Sequence, residues 1–341
     1  MKENRTFIED KTFDEERALY GSHGITISHC SFDGPADGES ACKESSDIEA
    51  ESCYFNLRYP FWHDHGLRIT ESEMTDKCRA ALWYSDHVEI ADTKLHGIKA
   101  LRECSDIVIR NSDIISPEFG WSVKNIRMEN TKDSSEYFMM RSENLAFTDV
   151  ELTGKYSFQY IKNAVFDHCT FDTKDAFWHA ENVVVRNSTV KGEYLGWYSK
   201  GVTFENCRII GTQPLCYCQG LKLVDCEMVD TDLCFEKSEV EELLRDGPLT
   251  LEMKDFAHME KFGSLGAQLP ANDEHITTEA GDVILSEGNL LVIYYAPNTW
   301  NFTRLGKVQN LSEKELKDVL GKGNIRATLT IEEKMEGKEE R

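Results

Sequence analysis

Residues 106–112, Asp106-Ile107-Val108-Ile109-Arg110-Asn111-Ser112, are echoed 19 residues on by Asn125-Ile126-Arg127-Met128-Glu129-Asn130-Thr131, and again by Asn144-Leu145-Ala146-Phe147-Thr148-Asp149-Val150. Outward from this stretch the same apolar position recurs as Val88, Ile107, Ile126, Leu145, Ala164, Val183, Val202, Leu221 and Val240, at eight successive spacings of 19. Toward the N-terminus it continues as Leu67, Ile48 and Ile25, at spacings of 21, 19 and 23. A fixed period of this length marks a repeat architecture, in which each unit buries its apolar side only against its neighbours.

The neighbouring columns give the unit its shape. One place before the reference stand Gly24, Asp47, Gly66, His87, Asp106, Asn125, Asn144, Asn163, Asn182, Gly201 and Gly220. Gly, Asn and Asp enter the left-handed backbone region at least cost, so each unit is expected to bend there. Two places after the reference the chain is apolar again, as in Ile69, Ile90, Ile109, Met128, Phe147 and Phe166, with polar residues between. That alternation is the period of a short strand and not of a helix. Five places after lies a small-residue column that includes Cys30, Cys53, Ser72, Thr93, Ser112, Cys169, Cys207 and Cys226. Seven places after, Phe32, Phe55, Met74, Leu95, Ile114, Leu152, Phe171 and Val190 are apolar once more. A 19-residue unit of short strands without helical period reads as one coil of a parallel β-helix. About twelve coils at the inter-strand spacing predict a rod on the order of 55 Å long.

The formal net charge of -23 argues against a nucleic-acid partner and against an anionic membrane surface. No apolar run approaches a transmembrane span. The opening residues, Met1 to Phe13, have no apolar core of a secretory signal, which predicts a cytoplasmic protein. Eleven cysteines with no Cys-x-x-Cys pairing, five of them in the small column, predict reduced buried thiols. Neither a metal nor a cofactor is expected. Residues 1–238 are expected to form the β-helix, with Met1 to Arg17 capping its first coil. Glu239 to Leu244 reads as a short helix opening a second domain at 239–333, followed by a charged tail at 334–341. In the second domain, strands are expected at Leu249 to Met253, Val283 to Leu285, Leu290 to Tyr295 and Ala327 to Ile331. A helix capped by Ser312 is expected to run through Leu320.

Five of six tryptophans, Trp62, Trp83, Trp121, Trp178 and Trp197, occupy one column five places before the reference. Just after it come His63, Tyr84, His179, Tyr198 and Tyr217. Aromatic rings at one repeat position either fill a corner of the stack or form a ladder on which sugar rings bind. Trp62, Trp83, Trp121, Trp178, Trp197 and Tyr198 are therefore the candidate ligand-binding set. Within Trp62-His63-Asp64-His65, the residues His63 and Asp64, with His179 elsewhere, are the candidates for proton transfer. No carboxylate pair at glycosidase spacing is specified, although Glu44, Glu103, Asp175 and Glu236 lie beside the tryptophan column. Trp300 and Arg304 are candidates for lining a groove in the second domain.

Phe13-Asp14-Glu15-Glu16-Arg17-Ala18-Leu19-Tyr20-Gly21-Ser22, Lys43-Glu44-Ser45, Asp175-Ala176-Phe177-Trp178 and Gly192-Glu193-Tyr194-Leu195-Gly196-Trp197 follow one another in this order. With them, residues 6–240 resemble the bacterial domain-of-unknown-function 3737 family. The resemblance implies a right-handed, single-stranded parallel β-helix of the pectin-lyase kind and brings no established reaction. Gly247-Pro248-Leu249-Thr250-Leu251-Glu252-Met253, Met259 to Gly266 and Pro297 to Lys307 make residues 242–333 similar to the bacterial cyclophilin-like family. This implies a small β-barrel and peptide or prolyl binding. Authentic cyclophilins carry a catalytic arginine after the first helix, and Lys254 to Leu285 contains none. Together the residues predict a β-helix that binds a carbohydrate, protein or peptide without catalysis. The alternative is a carbohydrate hydrolase or lyase working along the tryptophan flank.

Overall fold

The computed structural model describes residues 5–34, 39–231, 234, 237, 238, 240–243, 249–253, 274–278, 281–286, 289–296, 299–307 and 327–331, with side chains described as far as Ser238. The fold is mainly β, a right-handed parallel β-solenoid of about 12 turns. The chain divides into two compact units, Met1–Val183 and Val184–Arg341.

In the first unit the apolar reference column is the strand register itself. Ile25 pairs with Ile48, Ile48 with Leu67, Leu67 with Val88, Val88 with Ile107, Ile107 with Ile126, Ile126 with Leu145 and Leu145 with Ala164, all in parallel. Alternation along each short strand turns the reference residue and the one two places on inward. Ile48, Ala50, Leu67, Ile69, Val88, Ile90, Ile107 and Ile109 are all buried. The column seven places on adds a stack of rings, Phe13 over Phe32 at 4.8 Å and Phe32 over Phe55 at 4.9 Å. Further along, Phe158 touches the rings of Phe138, Phe147, Phe166, Phe171 and Phe177 at 4.9 to 6.1 Å. In the second unit Phe204 pairs with Leu223, Val190 with Ile209 and Ile209 with Met228.

The bend before the reference residue is present throughout. All eleven positions from Gly24 to Gly220 have φ between 54° and 70°. Three further columns are left-handed too, represented by Tyr59, Tyr84 and Asn111 at φ 57°, 62° and 48°. The small column closes hydrogen bonds between coils. The Cys53 N–H donates to the Ser72 hydroxyl at 3.0 Å, and that of Thr93 to Ser112 at 3.2 Å. All eleven cysteines are buried and none forms a disulfide.

Two expectations at the ends are corrected. Thr6–Glu9 and Thr12–Phe13 are strands in register with the next coil, Thr6 opposite Ile25 and Phe13 opposite Phe32. The N-terminal segment is thus one more coil in place of a cap, because repeating the pattern covers both the apolar floor and the free hydrogen-bonding edge. Val240–Leu243 is a strand paired with Leu221–Val224, where a helix was expected. So short a helix would bear the full nucleation cost, whereas an existing sheet edge offers hydrogen bonds at once.

Beyond it the four expected strands are present, and Leu249–Met253 pairs antiparallel with Ala327–Ile331 and Gly281–Ser286 with Asn289–Ala296. Glu274–Thr278 and Thr299–Lys307 complete a four-stranded antiparallel sheet. Their Thr, Asn and Arg content hid them from an apolar pattern. The helix expected from Ser312 to Leu320 lies outside the described residues.

Candidate functional site

The tryptophan column is half-buried. Trp62, Trp83, Trp121, Trp178 and Trp197 all lie between core and solvent. Three of the indoles clip neighbouring backbone. Trp83 donates its Nε1–H to the Lys99 carbonyl at 2.6 Å, Trp121 to Tyr137 at 2.7 Å and Trp197 to Gln213 at 2.7 Å. Ring faces are occupied as well. Trp62 lies 5.0 Å from Trp83, and the Arg102 guanidinium sits over Trp83 at 5.0 Å and over Trp121 at 5.3 Å. A ring whose faces touch its neighbours along the stack has its edge left for a ligand.

The same holds for the outer tyrosines, among them the candidate Tyr198. Tyr137 stacks on Tyr156, Tyr160 on His179 and Tyr198 on Tyr217, each pair at 4.8 Å. Tyr84 differs. It is 38% exposed, and its ring contacts with Trp62 and Trp83 are edge-on.

Beside Tyr84 the chain gathers histidines and carboxylates. His63 has its Nδ1 2.8 Å from Glu44 Oε2, one coil away. Asp86 holds two imidazoles, His65 Nδ1 at 2.5 Å from Oδ2 and His87 Nδ1 at 2.7 Å from Oδ1. The His63 and His65 rings lie 5.4 Å apart. A carboxylate only accepts, so each Nδ1 carries the proton and each Nε2 is left for a partner. All three histidine side chains are about half-exposed or more. Burial raises the Asp86 pKa, but the hydrogen bonds from His87 and His65 outweigh it and leave the carboxyl below its usual range. The Asp86 hydrogen bond and charge raise that of His87. The left-handed backbone at Glu44, His63, Tyr84 and His87 sets these side chains at corners of the coil.

The sequence candidates for proton transfer are separated by the fold. Asp64 is fully buried, turned inward from its neighbours His63 and His65. Its Oδ1 accepts the Ser45 N–H at 2.9 Å, and its own N–H donates to the Ser85 hydroxyl at 3.0 Å, a rung in an inner ladder. Burial pushes its pKa up to about 8; the Ser45 N–H lowers it and the Glu44 charge adds to the rise. His179 stands six coils from His63, on the order of 29 Å along the stack. Trp300 and Arg304 both fall on Thr299–Lys307, whose side chains lie outside the described residues.

Sequence reading reached His63, His65 and Glu44 but missed Asp86 and His87 as their partners. The signal is arithmetical: His65 and Asp86 are 21 residues apart, one coil where the period is lengthened. Among the described residues no group of three or more His, Cys, Asp or Glu side chains is arranged to hold a metal ion.

Several solved structures are similar in fold. They include the Dettilon tailspike protein (gp208), with 7% identity, TM-score 0.39, and 85% of this chain against 71% of that one. A hyperthermoactive exopolygalacturonase from Thermotoga maritima has 9% identity and TM-score 0.37, over 70% of this chain and 84% of the other. PfbA, a surface adhesin of Streptococcus pneumoniae, has 10% identity and TM-score 0.29, over 92% and 84%. Such values say nothing of a shared ligand or reaction. No curated protein matches the chain. Residues 233–332 match the family described as Cyclophilin-like family. Residues 6–247 match the family described as protein of unknown function (DUF3737), and the chain belongs to it.

Proposed function

We propose that the chain is a binding protein whose ligand is a carbohydrate, taken at the patch formed by Tyr84 with Glu44, His63, His65, Asp86 and His87. One observation supports this reading above the others. Three imidazoles, each fixed through Nδ1 by a carboxylate and each about half-exposed or more, lie in the same coils as an exposed aromatic ring. Sugar hydroxyls need fixed polar groups and the sugar ring needs an apolar face, and this patch offers both. Binding is favoured over hydrolysis because Glu44 and Asp86 are both engaged by histidines, and Asp64 faces the core. A cytoplasmic setting is supported by eleven buried cysteines, none of them in a disulfide.

Trp62 and Trp83 touch Tyr84 and so report on the patch. A panel of neutral and acidic oligosaccharides, with and without Ca²⁺, titrated while following tryptophan emission, is expected to give one saturable response. Tyr84→Ala and His63→Ala should each abolish it. A flat response to the whole panel, or one unchanged in both variants, sinks the proposal.

A second reading rests on the His65–Asp86 pair, in which a carboxylate orients an imidazole as a general base does. It makes the patch the site of a carbohydrate hydrolase or lyase. Turnover of a bound sugar that His65→Gln removes, with binding retained, would favour it.

A further inference from the structure

Away from the histidine patch, the coils between Gly34 and Ile98 border a cavity of about 440 Å³. Three cations reach it, Arg58, Lys77 and Arg79, against two carboxylates, Glu39 and Asp76. In a chain of net charge -23 this is a local reversal of sign.

Backbone hydrogen bonds fix how these groups lie. Arg17 N donates to Glu39 O, Ser40 N to Arg58 O, Tyr59 N to Arg79 O and Ala80 N to Ile98 O. Glu39, Arg58, Arg79 and Ile98 therefore occupy one column in successive coils. Arg58 is answered by Glu39 at 2.9 Å. That contact is off-axis, since the buried Glu39 Oε2 has no hydrogen bond. Arg79 lies one coil beyond Arg58, and among the described residues no carboxylate pairs with it or with Lys77. Asp76 lines the cavity without pairing to either.

At several other positions the solenoid answers a cation with a carboxylate one coil away. Arg110 pairs with Glu89 and Glu129, Lys94 with Glu73, Lys99 with Glu118 and Lys132 with Glu151. At Arg79 the position one coil on is Ile98, an apolar residue 37% exposed. The column that should neutralise the charge offers apolar surface in its place. Two arginines in adjacent coils with one carboxylate, on the far side of Arg58, leave positive charge at Arg79 that a second anion would offset.

We propose that this cavity binds a small organic anion, its carboxylate or phosphate head held by Arg79 and Lys77 and its body against Leu57 and Ile98. A guanidinium fork matches either head group. Glu39 keeps Arg58 occupied and so leaves the free positive charge at Arg79 and Lys77.

The test uses the full chain with inorganic phosphate and, separately, citrate as probes. Two readouts run together, calorimetric titration and protection of Arg79 from an arginine-selective dicarbonyl reagent, mapped by mass spectrometry. Saturable binding of at least one probe is expected, with matching protection of Arg79, weakening as salt is raised. The probe that binds tighter identifies the head group. The double variant Arg79→Ala/Lys77→Ala should weaken it by about tenfold or more, as loss of a charge-assisted contact requires. Both residues are exposed, and the protection readout on the unaltered chain needs no variant to fold. No saturable binding of either probe, no protection of Arg79, or equal affinity in the double variant overturns the proposal. The cavity shares no residue with the Tyr84 patch, so failure here leaves the carbohydrate reading standing.

Discussion

The coils from Ile25 to Val88 and those that follow are built to one plan but do different work. After Val88 every spacing is 19; before it the spacings are 23, 19 and 21. A strict period sets like above like. It gives the amide ladder Asp106, Asn125, Asn144, Asn163 and Asn182, and the ring pairs Tyr137 with Tyr156 and Tyr160 with His179. Such columns satisfy each other and leave little for a ligand. A lengthened coil can bring unlike residues together, as when His65 meets Asp86; in another, Arg79 follows Arg58 and apolar Ile98 comes next. The period makes the scaffold and its breaks make the sites.

The widest contrast should appear in stability. Phe158 is fully buried among five other rings of the regular coils. Phe158→Ala should cost about 3–5 kcal/mol in denaturant unfolding, the range for emptying an aromatic core position. Tyr84→Ala, at an exposed corner of a lengthened coil, should cost about 1 kcal/mol or less. Equal losses would mean that the lengthened coils are packed as tightly as the strict ones and that their departures are structural.

A smaller effect, and of opposite sign, is expected at the one charged residue in the strict apolar column. Asp133 lies in register between Ile114 and Leu152 and is buried. Thr131 donates to its Oδ2 at 2.9 Å, while Oδ1 has no hydrogen bond. Burial pushes its pKa up to about 8, the Thr131 hydroxyl offsetting part of the rise. The folded form holds a proton that the unfolded form releases near pH 4. The contribution to stability is therefore full below about pH 4 and is lost as pH rises toward 8. Asp133→Asn keeps the acceptor and removes the titration. It should raise the melting temperature at pH 7.5 and flatten the fall between pH 5 and pH 8. A variant no more stable than the parent at pH 7.5 would place the carboxyl in contact with water.

How far these regions are legible in sequence follows from the same contrast. The reference column was readable because Ile, Val and Leu recur at a constant interval, and it proved to be the strand register. Of the left-handed corners, the one rich in Gly and Asn was foreseen. Those occupied by Tyr59, Lys99 and Tyr137, or by His63, Tyr84 and Tyr160, were not, since the path of the adjoining coils imposes a conformation that these residues do not prefer alone. Asp64 looked like a partner of His63 because they are adjacent in sequence. Its place between Ser45 and Ser85 in an inner column shows that it faces the other way. Asp133 was visible only as a gap in an apolar column, and Asp86 only to a count of 21 in place of 19.

At the histidine patch the expected change in stability is slight, because solvent screens exposed ion pairs. The readout there is titration. Asp86 holds the His87 proton, so Asp86→Asn should lower the midpoint of His87 in an NMR pH titration. The sign follows from the pair. The raised His87 stabilises at low pH and loses this as pH rises through its folded midpoint; the lowered Asp86 stabilises at higher pH and loses this as pH falls. Their shared contribution lies between the two midpoints. An unchanged His87 midpoint would break the pairing and with it the case that the lengthened coil assembles the patch.

The smallest effect separates two causes within the strict coils. Asn144 sits in the amide ladder, donating to Asn125 Oδ1 at 2.8 Å, and also holds a left-handed backbone at φ 60°. Gly201 and Gly220 fill the same column with no side chain at all. If backbone handedness is what the column needs, Asn144→Gly should stay within about 0.5 kcal/mol of the parent. Asn144→Ala loses the same amide but must hold a β-carbon in the left-handed region, and should cost roughly 1–2 kcal/mol. Denaturant midpoints of the two variants decide between the causes. If Gly and Ala cost the same, the ladder of amides carries the column, and the glycines of the later coils would need a different explanation from the asparagines they replace.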